Sequence, residues 1–293
     1  MKTSPNRLPA YKQRELKKIV SLIRKVEKRI EMVILYGSHT RDDWVDRDNY
    51  VKDGIRYEYR SDFDLLLVVP DEEMAGDSTL RSVIKKRIRD EIDIQTPVSL
   101  IAEAIEFLND KLACGHYFFT DIKKQGIVLY DSGKCKLVKP KKLSPEKKRQ
   151  LLLDDYEMWS EKAQEFLEGY QFNLDKDRKS LASFHLHQAS ESLYTLFLLV
   201  FTGYKPKTHK LDELGEDAGK VDKRFRHIFS RATRRNEDLF DLLDGAYVDA
   251  RYEKDYEVSK AELKMLVSRI RKFQQRVEKA CKERIREMAE KTE

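Results

Sequence analysis

Apolar residues recur at helical spacing through residues 11–30, where Leu16, Ile19, Val20, Ile23, Val26 and Ile30 share one face and Lys and Arg fill the other. This stretch is expected to be a helix packed on a sheet. The pattern then changes. Residues 32–36 (Met-Val-Ile-Leu-Tyr) and 65–69 (Leu-Leu-Leu-Val-Val) are short continuous apolar runs, which read as buried strands. Helical spacing returns over residues 78–91, and Ile92-Asp93-Ile94 opens a third apolar segment that ends near Pro97 and is expected as a core strand. Residues 99–108 and 117–130 complete a first domain of mixed type, with Gly126 as a helix stop.

Residues 134–142 hold five Lys and one Pro and keep neither period, so they read as a linker. Ser144-Pro145-Glu146 then supplies an N-cap followed by Pro at the first helical position. From there the pattern is almost wholly helical: residues 146–170, residues 179–202, a turn over 203–208, further segments to Arg251, and a last helix from Ser259. Ser259 and Glu262 fit a capping box, in which hydroxyl and carboxylate satisfy free N–H groups at the helix start. The expected fold is α+β: a mixed sheet with helices over residues 11–133, a linker over 134–144, and an all-α bundle over 145–288.

Composition narrows the partners. Of 293 residues, 40% are hydrophobic, enough for two cores, and 38% are charged, with 58 basic against 52 acidic side chains for a net +6. The two signs are interspersed along the helical segments. That balance suits an anionic partner such as a nucleotide or RNA and is no signature of DNA-specific binding. Cys114, Cys135 and Cys281 are odd in number and far apart, so neither a disulfide framework nor a zinc knuckle is suggested. A reducing cytoplasm is the expected location. The longest apolar run, residues 193–201, is too short to span a bilayer.

The chemistry concentrates where the two strands of the first domain open. The first strand runs into Gly37-Ser38, and the second carries Asp62-Phe63-Asp64 at its mouth. Alternate strand residues share a face, so Asp62 and Asp64 present two carboxylates together while Phe63 turns away. Gly37 allows close approach to a phosphate, and Ser38 offers an N–H and a hydroxyl. Asp93, between two Ile on an expected core strand, is costly to bury without a cation or a donor, which makes it the candidate third ligand and proton acceptor. Arg41 could reach a triphosphate or could be a solvated loop residue. Each signal taken singly is an ordinary turn; the three carboxylates together suit metal-assisted phosphoryl transfer.

Leu35-Tyr36-Gly37-Ser38 with Asp62-Phe63-Asp64 and the later Asp93 resembles the minimal nucleotidyltransferase branch of the polymerase β superfamily over roughly residues 11–133. The resemblance implies that Gly37 and Ser38 hold an NTP, with ATP the expected one, and Arg41 stands beside them as a further candidate. It also implies that Asp62, Asp64 and Asp93 bind magnesium, or manganese, and that NMP passes to an acceptor hydroxyl on a small molecule, a protein Tyr or an RNA end. The insert between Ser38 and Asp62 departs from the family's simplest members. Asp53-Gly54, between Val51 and the Ile55–Tyr59 run, reads as a hairpin whose aromatics either cover the site or pack on the sheet.

In the helical half, His187, Gln188 and Glu191 fall on one stripe of a helix that is otherwise almost continuously apolar to Phe201. A hydrogen-bond network, a dimer seam and a catalytic site all remain open readings. These residues, with Pro206-Lys-Thr208-His209 and Ala250-Arg251-Tyr252, resemble the HEPN domain over about residues 145–285. That fold is found beside minimal nucleotidyltransferases in prokaryotes, and the aminoglycoside nucleotidyltransferases carry a related bundle. The resemblance implies nucleotide or acceptor binding and a homodimer, with His187, Gln188, Glu191, His209 and Arg251 as candidate site residues. Some HEPN domains cleave RNA without metal through an Arg and a His a few residues apart, a spacing that Arg178 and His185 meet. That gives the alternative function, a ribonuclease or toxin–antitoxin-like module with a regulatory first domain.

Overall fold

The computed structural model describes residues 1–290 except 3, 42, 43, 47, 53, 54, 227 and 254, with backbone alone for 48–52, 55–59, 289 and 290. The chain divides into two compact units, Met1–Lys142 and Leu143–Glu293.

In the first unit α1 (Ala10–Val26) leads to β1 (Met32–Tyr36), the short α2 (Ser38–Arg41), β2 (Asp48–Lys52), β3 (Ile55–Tyr59) and β4 (Phe63–Val69). Then come α3 (Glu72–Gly76), α4 (Ser78–Arg89), β5 (Val98–Ala104), α5 (Ile105–Ala113), α6 (Tyr117–Gln125) and β6 (Ile127–Asp131). The sheet runs β5-β4-β1-β6, with β4 and β5 parallel and β1 antiparallel to both β4 and β6. Strands β2 and β3 form a separate antiparallel pair. The expected hairpin turn at Asp53-Gly54, and the side chains of Tyr50, Tyr57 and Tyr59, lie outside the described residues.

One sheet face packs Val33, Leu35, Phe63, Leu65, Leu67 and Leu100 against Leu16, Ile19 and Ile23 of α1 and Ile84 and Ile88 of α4. Burial of this many aliphatic side chains, each worth roughly 1.5–3 kcal/mol, makes the α1 face the main core of the unit. Alternation then assigns Asp64 and Ser99 to the opposite face.

Two expectations are corrected. The helix over residues 11–30 ends at Val26, because Glu27 turns to extended backbone and its carboxylate accepts the Arg29 N–H at 2.9 Å; Ile30 is buried outside the helix. Residues 92–94 form no strand. Ile92 is 84% exposed, and the chain turns after α4 with the Ile94 N–H donating to Glu91 O at 3.1 Å. What orders this turn is Glu15 of α1, which accepts from Gln95 N at 2.9 Å and from the Thr96 hydroxyl at 2.5 Å. Strand pairing begins only after Pro97, whose carbonyl accepts from Phe63 N.

Residues 134–142 lie along α5 and α6: Asn109 bonds Lys136 O and Val138 N, and Lys123 bonds the carbonyls of Leu137 and Val138. Gly126 does follow α6. Its φ is ordinary, and what it supplies is room, since a Cβ there would sit 2.5 Å from Ile122 O.

The second unit is helical: α7 (Pro145–Asp175), α8 (Lys179–Thr202), α9 (Leu211–Val221), α10 (Arg234–Gly245), α11 (Asp249–Tyr252) and α12 (Lys260–Glu290). Ser144 caps α7 by accepting from Lys147 N, and Gly203 closes α8 in the left-handed region at φ 75. Ser259 and Glu262 form the expected reciprocal cap of α12, with Ser259 N donating to Glu262 at 2.7 Å and Glu262 N to Ser259 Oγ at 3.2 Å. Helix α8 is the axis. Residues 189–200 are all buried against α7, α12 and α9, and α12 answers with Leu263, Leu266, Ile270, Phe273 and Val277 at helical spacing. No described helix is long and apolar enough to cross a membrane.

Candidate functional site

At one end of the sheet, β1 leaves through Gly37 and β4 enters beside it. The antiparallel register places Tyr36 opposite Asp64, so the first residue beyond β1 passes directly over the Asp64 carboxylate. A Cβ at Gly37 would lie 2.1 Å from Asp64 Oδ2, and Gly37 adopts φ +74, so the position excludes any side chain twice over. The turn is closed by Thr40, whose N–H and hydroxyl both donate to Gly37 O, at 3.1 and 2.8 Å. Ser38 starts α2 and Arg41 ends it, exposed.

Asp62 and Asp64 are half-buried, while Phe63 between them is fully buried in the α1 face, as strand alternation requires. Asp93 is not part of this site. It lies in the turn after α4 with its side chain 69% exposed, paired with Lys18 at 2.6 Å. The residue that faces Asp64 across the β4–β5 pair is Ser99. Among the described residues no three His, Cys, Asp or Glu side chains gather as a metal cluster. The oxygen-only donors of Asp62, Asp64 and Ser38, in a cradle that a Cβ would fill, fit a hard divalent cation carrying phosphate.

Behind this turn, on the α1 face, His39 is buried between Trp44, stacked at 5.4 Å, and Phe63 at 4.7 Å. Burial, with Lys12 nearby, lowers its pKa to about 4, so it is neutral at pH 7. Lys12 is itself buried, with Nζ 4.9 Å from the Trp44 ring and 3.0 Å from the Thr96 hydroxyl. This layer ties α1, α2 and the start of β5 together beneath the carboxylates. Only the adjacency of His39 to Gly37-Ser38 signals it in the sequence.

The second unit holds a separate polar cluster. Glu191, 8% exposed on α8, accepts from His209 Nδ1 at 3.0 Å and from Gln188 Nε2 at 3.0 Å. A carboxylate only accepts, so His209 Nδ1 carries a proton in this pair. The His209 side chain is 55% exposed. Its ring stacks on Tyr247 at 4.3 Å and 12°, and the Arg251 guanidinium lies 4.5 Å from the Tyr247 ring while Arg251 Nε donates to Tyr247 O at 2.6 Å. His187 is fully buried, 5.4 Å from Tyr247. Burial lowers its pKa to about 4, with the His209 backbone partly offsetting and the charges of His209 and Arg251 adding to the shift.

All five residues expected from the sequence in this half therefore meet around Tyr247. Tyr247 precedes Arg251 by four residues, about one helical turn, and that spacing is its signal in the sequence. The stripe geometry explains the rest: His187, Gln188 and Glu191 lie within one turn of α8, and the Gly203 stop lets the chain fold back so that His209 reaches Glu191. Arg178 and His185 form no such pair among the described contacts. Arg178 is exposed at the start of α8, whereas His185 packs against Gly169 and Phe166 of α7.

No curated protein matches the chain. The HEPN domain model matches residues 156–280, a span that contains the whole cluster from His187 to Arg251, and the second unit of this chain carries an HEPN domain.

Proposed function

We propose that the first unit is a nucleotidyltransferase that moves NMP, with ATP the expected donor, to an acceptor oxygen, and that the HEPN domain binds the acceptor or a nucleotide and forms a homodimer. The observation that carries this reading is the contact of Gly37 with the Asp64 carboxylate at the shared end of β1 and β4. Ser38 and the turn held by Thr40 would seat the phosphates, and Asp62 and Asp64 would hold magnesium or manganese. The bound cation would neutralise charge on the phosphate oxygens. The acceptor hydroxyl oxygen would attack the α-phosphorus and release its proton to solvent, the bond to the bridging oxygen would break, and pyrophosphate would leave. Incubation with α-labelled NTPs, magnesium and candidate acceptors, namely small molecules, proteins bearing exposed Tyr and RNA ends, tests the proposal. Label should move to one acceptor class, and equal transfer by the Asp62→Asn/Asp64→Asn double variant would refute it.

A second reading is favoured by the Glu191–His209 pair beside Arg251. Glu191 would orient His209 so that Nε2 accepts a proton from an RNA 2′-hydroxyl, whose oxygen attacks the adjacent phosphorus while the 5′-oxygen departs and takes up a proton. Arg251 would steady the phosphate charge. This reading requires RNA cleavage that survives EDTA and disappears in His209→Ala.

A further inference from the structure

Residues opposite each other on parallel strands project to the same face, with neighbouring strands about 4.8 Å apart. Asp64 and Ser99 are such a pair, on the face away from α1. Two cations about 3.5–4 Å apart repel each other and need several anionic ligands between them. The position on β5 nearest Asp64, where a third carboxylate would serve a second cation, carries a neutral hydroxyl. The acid on β5, Glu103, pairs with Val68, is fully buried, and lies four residues further along, roughly 13 Å at strand rise. Asp93, the third carboxylate expected from the sequence, is 69% exposed and paired with Lys18.

We infer that this site takes one divalent cation, the one that arrives on the triphosphate, and that Ser99 sets that number. The inference rests on the nucleotidyltransferase reading and goes beyond it. Among the described residues, Asp62 and Asp64 are the carboxylates that the strands bring to this turn, and the pair suits one divalent ion. An acid at position 99 would bring a third carboxylate beside Asp64 and admit a second ion.

The test counts bound Mn2+ on the full chain by the loss of the free-ion electron paramagnetic resonance signal, in saturating α,β-methylene ATP, with nucleotide binding measured in the same samples. The wild type and Ser99→Asn should each hold one Mn2+ per bound nucleotide, and Ser99→Asp should hold two; Ser99→Glu replaces it if that variant does not fold. Two ions in the wild type would overturn the inference, and so would one ion in a folded, nucleotide-binding acidic variant. Absence of nucleotide binding in the wild type would instead remove the nucleotidyltransferase reading itself, and the nucleotide measurement tells these failures apart.

Discussion

At the Gly37 turn, β1, α2, β4 and β5 each contribute one or two residues, and only strand register decides which of them face one another. Around Glu191, by contrast, one turn of α8 supplies three polar side chains, and the short return after Gly203 adds a fourth. The first site is open and acidic, and it is shaped by a missing Cβ. The second keeps Glu191 and His187 buried while His209 and Arg251 are exposed, and its carboxylate already accepts from a His and a Gln. A site of the first kind is poised for a cation and its phosphates, whereas one of the second kind spends its acid on orienting a base. On the proposed readings the two would differ in their need for metal.

The sharpest way to break this contrast is to remove the charges at the first site. Asp62→Asn/Asp64→Asn should lower NMP transfer by on the order of 10³-fold, the several kcal/mol expected of cation-assisted phosphoryl transfer, without lowering the thermal midpoint. Gly37→Ala is next. It should lower stability by about 1–3 kcal/mol and abolish metal-dependent ATP binding, because the added methyl meets both an unfavourable φ and the Asp64 carboxylate. Calorimetry with and without ATP checks both.

On the other side of the comparison, Glu191→Ala leaves His209 and Gln188 without their acceptor. It should cost about 1–3 kcal/mol in urea denaturation, read at Trp159 in a Trp44→Phe background. Magnesium-dependent ATP binding at the Gly37 turn should be unchanged.

Acid separates the units more gently. His39 and His116 in the first unit and His187 in the second are held down to about 4 by burial, against about 6.5 for an unfolded His. Between these values the unfolded chain binds protons that the folded chain refuses. Stability present above pH 6.5 is therefore lost as pH falls toward 4. Burial also lowers the pKa of His185 in the second unit, so the urea midpoint should fall in both units, followed at Trp44 in a Trp159→Phe background for the first and at Trp159 in a Trp44→Phe background for the second. His187→Gln should flatten the Trp159 profile alone. Asp93→Asn should have the smallest effect, leaving transfer unchanged, since its partner Lys18 sits on the surface.

How much of this was legible follows from the same contrast. Helical spacing placed α8 and its polar stripe directly, because residues 187, 188 and 191 meet by local geometry alone. The pairing of Gly37 with Asp64 was also legible, because each strand delivers its motif at its end. Asp93 misled because Ile-Asp-Ile imitates a strand. The turn there is ordered by Glu15, some eighty residues away in sequence, and no local pattern announces that. Ser99 was invisible for a related reason: a Ser near the start of a strand acquires meaning only from the residue that the neighbouring strand sets opposite it.

Asp62, Asp64 and Gly37 are proposed to form a cation-dependent nucleotide site, and titration calorimetry of the full chain with ATP is the decisive measurement. Binding should appear with magnesium, vanish with EDTA, and vanish in Asp62→Asn/Asp64→Asn while the variant stays folded. Equal affinity for ATP with and without magnesium, or undiminished affinity in the double variant, would contradict it.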